Sequence, residues 1–121
     1  MGRFRAVLFA LVVVGNFIMA ASVGNAVYLS GNQLAVQCFT DKSDHTYDLK
    51  DVYCLAYIVG VADSFSCSAP LAGMGWKPQS GIVAGQLVKV VMNFLGKHPE
   101  ALHQDASWLV VNALAEAFPC N

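Results

Sequence analysis

Four cysteines constrain this chain more than any other feature of it. Cys38, Cys54, Cys67 and Cys120 all follow an N-terminal stretch with the marks of an export signal. Arg3 and Arg5 give that stretch a positive start, Ala6 to Val14 is an unbroken apolar run, and Gly24-Asn25-Ala26 fits the small-x-small pattern of a signal peptidase site. Cleavage after Ala26 is the expectation, with Ala20-Ala21-Ser22 as second choice. The competing reading is an uncleaved anchor. Against it, the apolar stretch from Ala6 to Val23 barely reaches the roughly 20 residues a membrane span needs, and Asn16 sits in its middle. The expected division is a signal segment at 1–26 and a helical domain at 27–121, with no stable membrane insertion after cleavage. An even number of cysteines in an exported chain of this size reads as a disulfide framework. Once paired, they leave no thiolate to act as a nucleophile.

Removing the leader changes the charge. Both arginines leave with it, so five lysines face eight carboxylates, a formal charge of −3. No basic patch remains, and nucleic-acid binding has no support.

Periodicity after residue 27 is helical throughout, which predicts an all-α domain of four helices. Ser30-Gly31-Asn32-Gln33 is a capping box, and Leu29 and Leu34 occupy the staple positions around it; this first helix should run to about Phe39. A second helix should begin near Asp48, a good N-cap, with Asp51 in its first turn. From Val52 to Val61 that helix has no charged residue and is apolar around its whole circumference, the pattern of a buried central helix. Gly60 within it marks either a neighbour's close approach or a tolerated glycine. Cys67 to Gly81, with Pro70, Gly73, Gly75, Pro78 and Gly81, reads as loop. Val83 to Lys97 carries the stripe Ala84, Leu87, Val88, Val91, Phe94, Leu95 of a third helix. His98-Pro99-Glu100 should start a fourth, with Pro99 at its first position, and Pro119 ends it.

Helix dimensions choose among the three possible pairings. Cys54 and Cys67, 13 positions apart along the second helix, would stand about 20 Å from each other, beyond any disulfide, unless the helix breaks at Gly60. An antiparallel hairpin brings Cys38 to Cys54, leaving Cys67 to join Cys120.

Few residues offer chemistry. Asp63, near the end of the apolar helix, is either a general acid or base or a carboxylate that bonds neighbouring backbone. His98 and His103 are five apart and fall on different helix faces, unlike the i, i+4 pair of zinc sites. No nucleophile elbow or phosphate loop occurs. The expectation is a binding protein, not an enzyme, with no cofactor. Leu71, Met74, Trp76 and Lys77 in the loop are the candidate partner-binding residues. Trp76 is read as a projecting anchor, or else as a side chain folded back over the core. Val90 and Met92 lie off the main stripe of the third helix, as a homodimer seam or as deeper core.

An ordered set of motifs adds a family. Gly31-Asn32-x-Leu34-x-x-x-Cys38 is followed by Cys54-x-x-Tyr57-Ile58-x-Gly60-Val61-x-Asp63, then Gly85-Gln86-Leu87-Val88, Phe94-Leu95-x-x-His98-Pro99-Glu100 and Ala113-Leu114-x-x-Ala117-Phe118-Pro119-Cys120. The series resembles the Rap/Tai family of type VI secretion immunity proteins over nearly the whole domain. The resemblance implies a small helical periplasmic protein, in several cases a dimer. It would bind a peptidoglycan amidase effector with a catalytic Cys and His and cover its cleft. Here Val83 stands where the family tends to have a threonine, and Cys67 lies earlier than the family's cysteine, so the loop after it is this chain's own. The alternative function is a periplasmic stress chaperone or housekeeping binder of the small helical disulfide type.

Overall fold

The computed structural model describes residues 28–121; the expected signal segment at 1–26 lies outside the described residues. Among them the chain forms four α-helices: α1 (Gly31–Cys38), α2 (Tyr47–Asp63), α3 (Ala84–Lys97) and α4 (Ala106–Ala117). A single 3₁₀ turn, Pro99–Ala101, links α3 to α4. There is no β-strand among these residues, and the domain is all-α.

The start of α1 is set locally. The Ser30 hydroxyl accepts from the Gln33 N–H at 3.3 Å, and the Gln33 side chain accepts from the Ser30 N–H at 2.8 Å. Leu29 and Leu34 are both buried beneath this box. The remaining free N–H groups of the first turn find partners far along the chain. Gly31 donates to the Gln104 carbonyl at 2.8 Å and Asn32 to the Leu102 carbonyl at 2.7 Å. In the reverse direction, Ala106 donates to the Leu29 carbonyl at 2.9 Å.

That exchange explains a departure from the sequence expectation. His98-Pro99-Glu100 carries good helix-start chemistry but opens only one 3₁₀ turn, and the long helix begins after Asp105. The carbonyls of Leu102 and Gln104 are turned toward α1, so they cannot also serve a continuous helix. Gly31 makes the approach possible, since a methyl group there would stand 2.9 Å from the Leu102 oxygen. Gly31→Ala should therefore destabilise the domain by about 1–3 kcal/mol, as overpacking against backbone does, in a urea titration followed by circular dichroism. An unchanged midpoint would show that the α1–α4 junction yields freely.

The second helix also starts earlier than expected. Thr46, not Asp48, is its N-cap residue, and Asp48 lies in the first turn, where the helix dipole favours a carboxylate. The preceding turn is organised by Asp44, which accepts from the Thr46 hydroxyl and N–H and from the Lys50 ammonium. The Thr46 hydroxyl is the main reason its carboxyl sits well below the usual range. Helix α2 runs unbroken through Gly60 and stops at Asp63, four residues short of Cys67. No atom stands near enough to Gly60 to require a glycine, so of its two readings the tolerated residue holds.

The core is one cluster drawn from all four helices: Leu34, Ile58, Leu87, Val91, Leu95, Leu109, Val110 and Leu114 among others. Two disulfides close it. Cys38–Cys54 joins the end of α1 to α2, and Cys67–Cys120 joins the segment after α2 to the residue beyond Pro119. This is the pairing expected from the antiparallel hairpin of the first two helices.

Candidate functional site

Two surfaces separate this domain from an inert bundle. One is the segment between α2 and α3, and the other is the outer face of α2.

The segment after α2 is not slack. Trp76 is 6% exposed and belongs to the core. Its indole Nε1 donates to the carbonyls of Ala62 at 3.0 Å and Phe65 at 2.8 Å. The Ala62 carbonyl is available because it lies in the last turn of α2, where carbonyls lack partners within the helix, and Phe65 follows just after the helix ends. The ring lies 6.0 Å from that of Phe118. The reading of Trp76 as a projecting anchor is therefore corrected: an indole whose N–H is satisfied at the helix end folds inward. Met74 is half-buried against the same core, while Lys77 is exposed and its backbone N–H donates to the Phe118 carbonyl at 2.9 Å. Cys67 N–H donates to the Trp76 carbonyl at 3.0 Å, and Gly75 passes 2.7 Å, measured from its missing Cβ, from the Ser66 oxygen.

Beyond this seam the chain turns back on itself. Leu71 and Met74 exchange both backbone hydrogen bonds, at 2.8 and 2.9 Å, around Ala72 and Gly73. Both central residues have positive φ, 49° and 80°, as a type I′ turn requires. Alanine takes that conformation at a cost of about 1–2 kcal/mol, so the surrounding ties hold it there. The outcome is a stiff turn that projects Leu71, 45% exposed, from a base locked by Trp76 and a disulfide.

Helix α2 supplies the second surface, and here the sequence expectation fails. Only Cys54, Ile58 and Ala62 of this helix are buried. Leu49 and Val52 are 74% and 61% exposed, and Tyr53 and Leu55 are exposed beside them. Three other helices cannot surround a fourth, so a helix apolar on every side keeps one uncovered face. Leu55 also opens a groove of about 380 Å³ toward α3, lined by Asp51, Ala84, Gly85, Val88, Lys89 and Met92. Met92 thus sits in this groove, while Val90 packs against the core and lines a smaller recess between α3 and α4. Among the described helices α2 carries the largest set of exposed large apolar residues, Leu49, Val52, Tyr53 and Leu55, which sequence reasoning missed. Apolarity on every face was the available signal, and it was read as burial.

The candidate chemical groups do not assemble. Asp63 is exposed on the last turn of α2, with no side-chain hydrogen bond among the described residues, so neither a buried acid nor a backbone clamp is present. His98 Nδ1 lies 3.1 Å from the Glu100 carboxylate, and its ring stacks 4.4 Å from Phe94; His103 is exposed elsewhere. All four cysteines are bridged. Among the described residues no group of three or more His, Cys, Asp or Glu could hold a metal ion. No helix of the described residues is long and apolar enough to cross a membrane.

A family model described as Rap1a immunity proteins matches residues 30–120, from the capping serine of α1 to the last cysteine. No curated protein matches the chain.

Proposed function

The chain belongs to the Rap1a immunity protein family, and from that premise we propose that it is a periplasmic protein, freed of a signal segment at 1–26, that binds and inhibits a type VI secreted peptidoglycan amidase. It protects the producing cell by occupying the effector's cleft, without turnover and without a cofactor. The observation that carries this reading is the family match across residues 30–120. Two bridges that need an oxidising compartment support the location.

Leu71 is the residue we assign to the effector's cleft. An exposed apolar side chain on a turn already held in shape loses little conformational entropy on docking, which favours affinity. Lys77 lies exposed at the base of the same segment. Trp76 acts through the shape of the loop, not by contact. On this reading Leu71→Asp leaves the domain's melting temperature within a degree or two, since exposed substitutions cost about 0.5 kcal/mol or less. It weakens effector binding at least about 30-fold, the loss of a hot-spot contact worth about 2 kcal/mol. Thermal unfolding reads the first arm and isothermal titration with the purified effector the second. Unchanged affinity removes Leu71 from the interface.

The uncovered face of α2 fits a second copy of the chain. Leu49, Val52 and Tyr53 are joined on it by the small residues Ala56 and Gly60, which permit two helices to approach closely. Sedimentation of the wild type against Val52→Glu tests the homodimer, which the charge should split.

A further inference from the structure

The two disulfides are placed very differently. Cys54 is 1% exposed and Cys38 half-buried, so their bridge lies between packed helices. Cys67 and Cys120 are both exposed, and each lies outside the regular helices, one after α2 and the other after α4. A thiolate must approach a disulfide sulfur directly to displace its partner, so access decides which bridge reacts in the folded state. Reaching Cys54 requires α1 and α2 to part; reaching the Cys67–Cys120 pair requires no helix to move.

The second bridge also holds a defined piece of structure. It ties the tail beyond Phe118 to the base of the projecting turn. Near it run the Cys67 to Trp76 and Lys77 to Phe118 backbone hydrogen bonds, both within 3.0 Å. Without the bridge the segment after α4 is held to the base of the turn through the Lys77 to Phe118 bond, and the Cys67 to Trp76 bond beside it loses its covalent support; single hydrogen bonds outside regular helices open readily. The indole bonds of Trp76 to Ala62 and Phe65 do not involve the tail, so the core persists.

We infer that Cys67–Cys120 is a redox latch: a dithiol reductant opens it without unfolding the helices, and opening loosens the turn that carries Leu71. One reductant thiolate attacks either sulfur, forming a mixed disulfide and releasing the other cysteine as a thiolate. The second reductant thiol then displaces the first cysteine. Two electrons and two protons pass to the protein, and the reductant leaves as a cyclic disulfide. The effect on the effector rests on the proposed function, whereas the latch itself does not.

The test separates the two. The oxidised domain, from Val27, is treated with graded dithiothreitol in native buffer, quenched by alkylation and mapped by mass spectrometry. The expected product is a two-thiol species labelled at Cys67 and Cys120, formed at least about tenfold faster than any label at Cys38 or Cys54, because local opening is far more frequent than parting of core helices. Its amides from residue 67 to 77 exchange faster than in the oxidised form and lose their protection well before those of α2 and α4, which exchange only when the whole domain opens. Direct appearance of a four-thiol chain, or earlier labelling of Cys38 and Cys54, overturns the latch, and so does unaltered exchange at 67–77. With the amidase added, the two-thiol species should bind at least about tenfold more weakly; equal affinity would deny the latch any role in regulating inhibition.

Discussion

Trp76→Ala should destabilise the domain by about 3–5 kcal/mol, the cost of emptying a large aromatic site in a packed core. For a domain of this size that lowers the melting temperature by more than about 10 °C. Two effects add. The cavity faces Phe65 and Phe118, and the carbonyls of Ala62 and Phe65 lose their donor. Trp76→Phe separates them, because it keeps most of the ring and removes only the N–H. Its expected cost is about 1–3 kcal/mol, that of leaving buried acceptors unsatisfied. Thermal unfolding of both variants reads the difference directly. A loss under about 0.5 kcal/mol for the alanine variant, the range of surface substitutions, would return Trp76 to the surface and restore it as a contact residue.

The second large effect belongs to the Cys67–Cys120 bridge. It spans a sequence separation of 53, against 16 for Cys38–Cys54. Loop-closure entropy then assigns it about 4 kcal/mol, and the shorter bridge about 3 kcal/mol. The double variant Cys67→Ser, Cys120→Ser should lose close to the larger figure in a denaturant titration. Both positions are exposed, so the serines add no cavity to the loss. If the variant loses less than about 1 kcal/mol, the unfolded chain is already compact enough that the cross-link restricts it little.

What the sequence made legible was local or metrical. The capping box at Ser30 and Gln33 needs four consecutive residues, and it forms as written. The rise of a helix rules out Cys54–Cys67 and the hairpin of the first two helices brings Cys38 to Cys54; the pairing held although α2 ends at Asp63, before Cys67. What stayed hidden depends on neighbours distant in the chain. Nothing around His98-Pro99-Glu100 announces that the next carbonyls are claimed by Gly31 and Asn32. The direction of Trp76 is fixed by two carbonyls that become free only where α2 stops. The turn at Ala72-Gly73 lacks the Asn-Gly signature that would have marked a type I′ turn. Helix α2 is the most instructive case: its residues report how apolar it is, not how many helices are present to cover it.

We propose that this chain neutralises one secreted cell-wall amidase. Titration tests it most directly. The oxidised domain is added in steps to the purified amidase effector of the producing strain, and cleavage of peptidoglycan peptides is followed. Immunity predicts that activity falls linearly to zero at a fixed molar ratio, and that an unrelated amidase keeps its full rate. Full activity of the effector in the presence of a large molar excess of the domain would contradict the account.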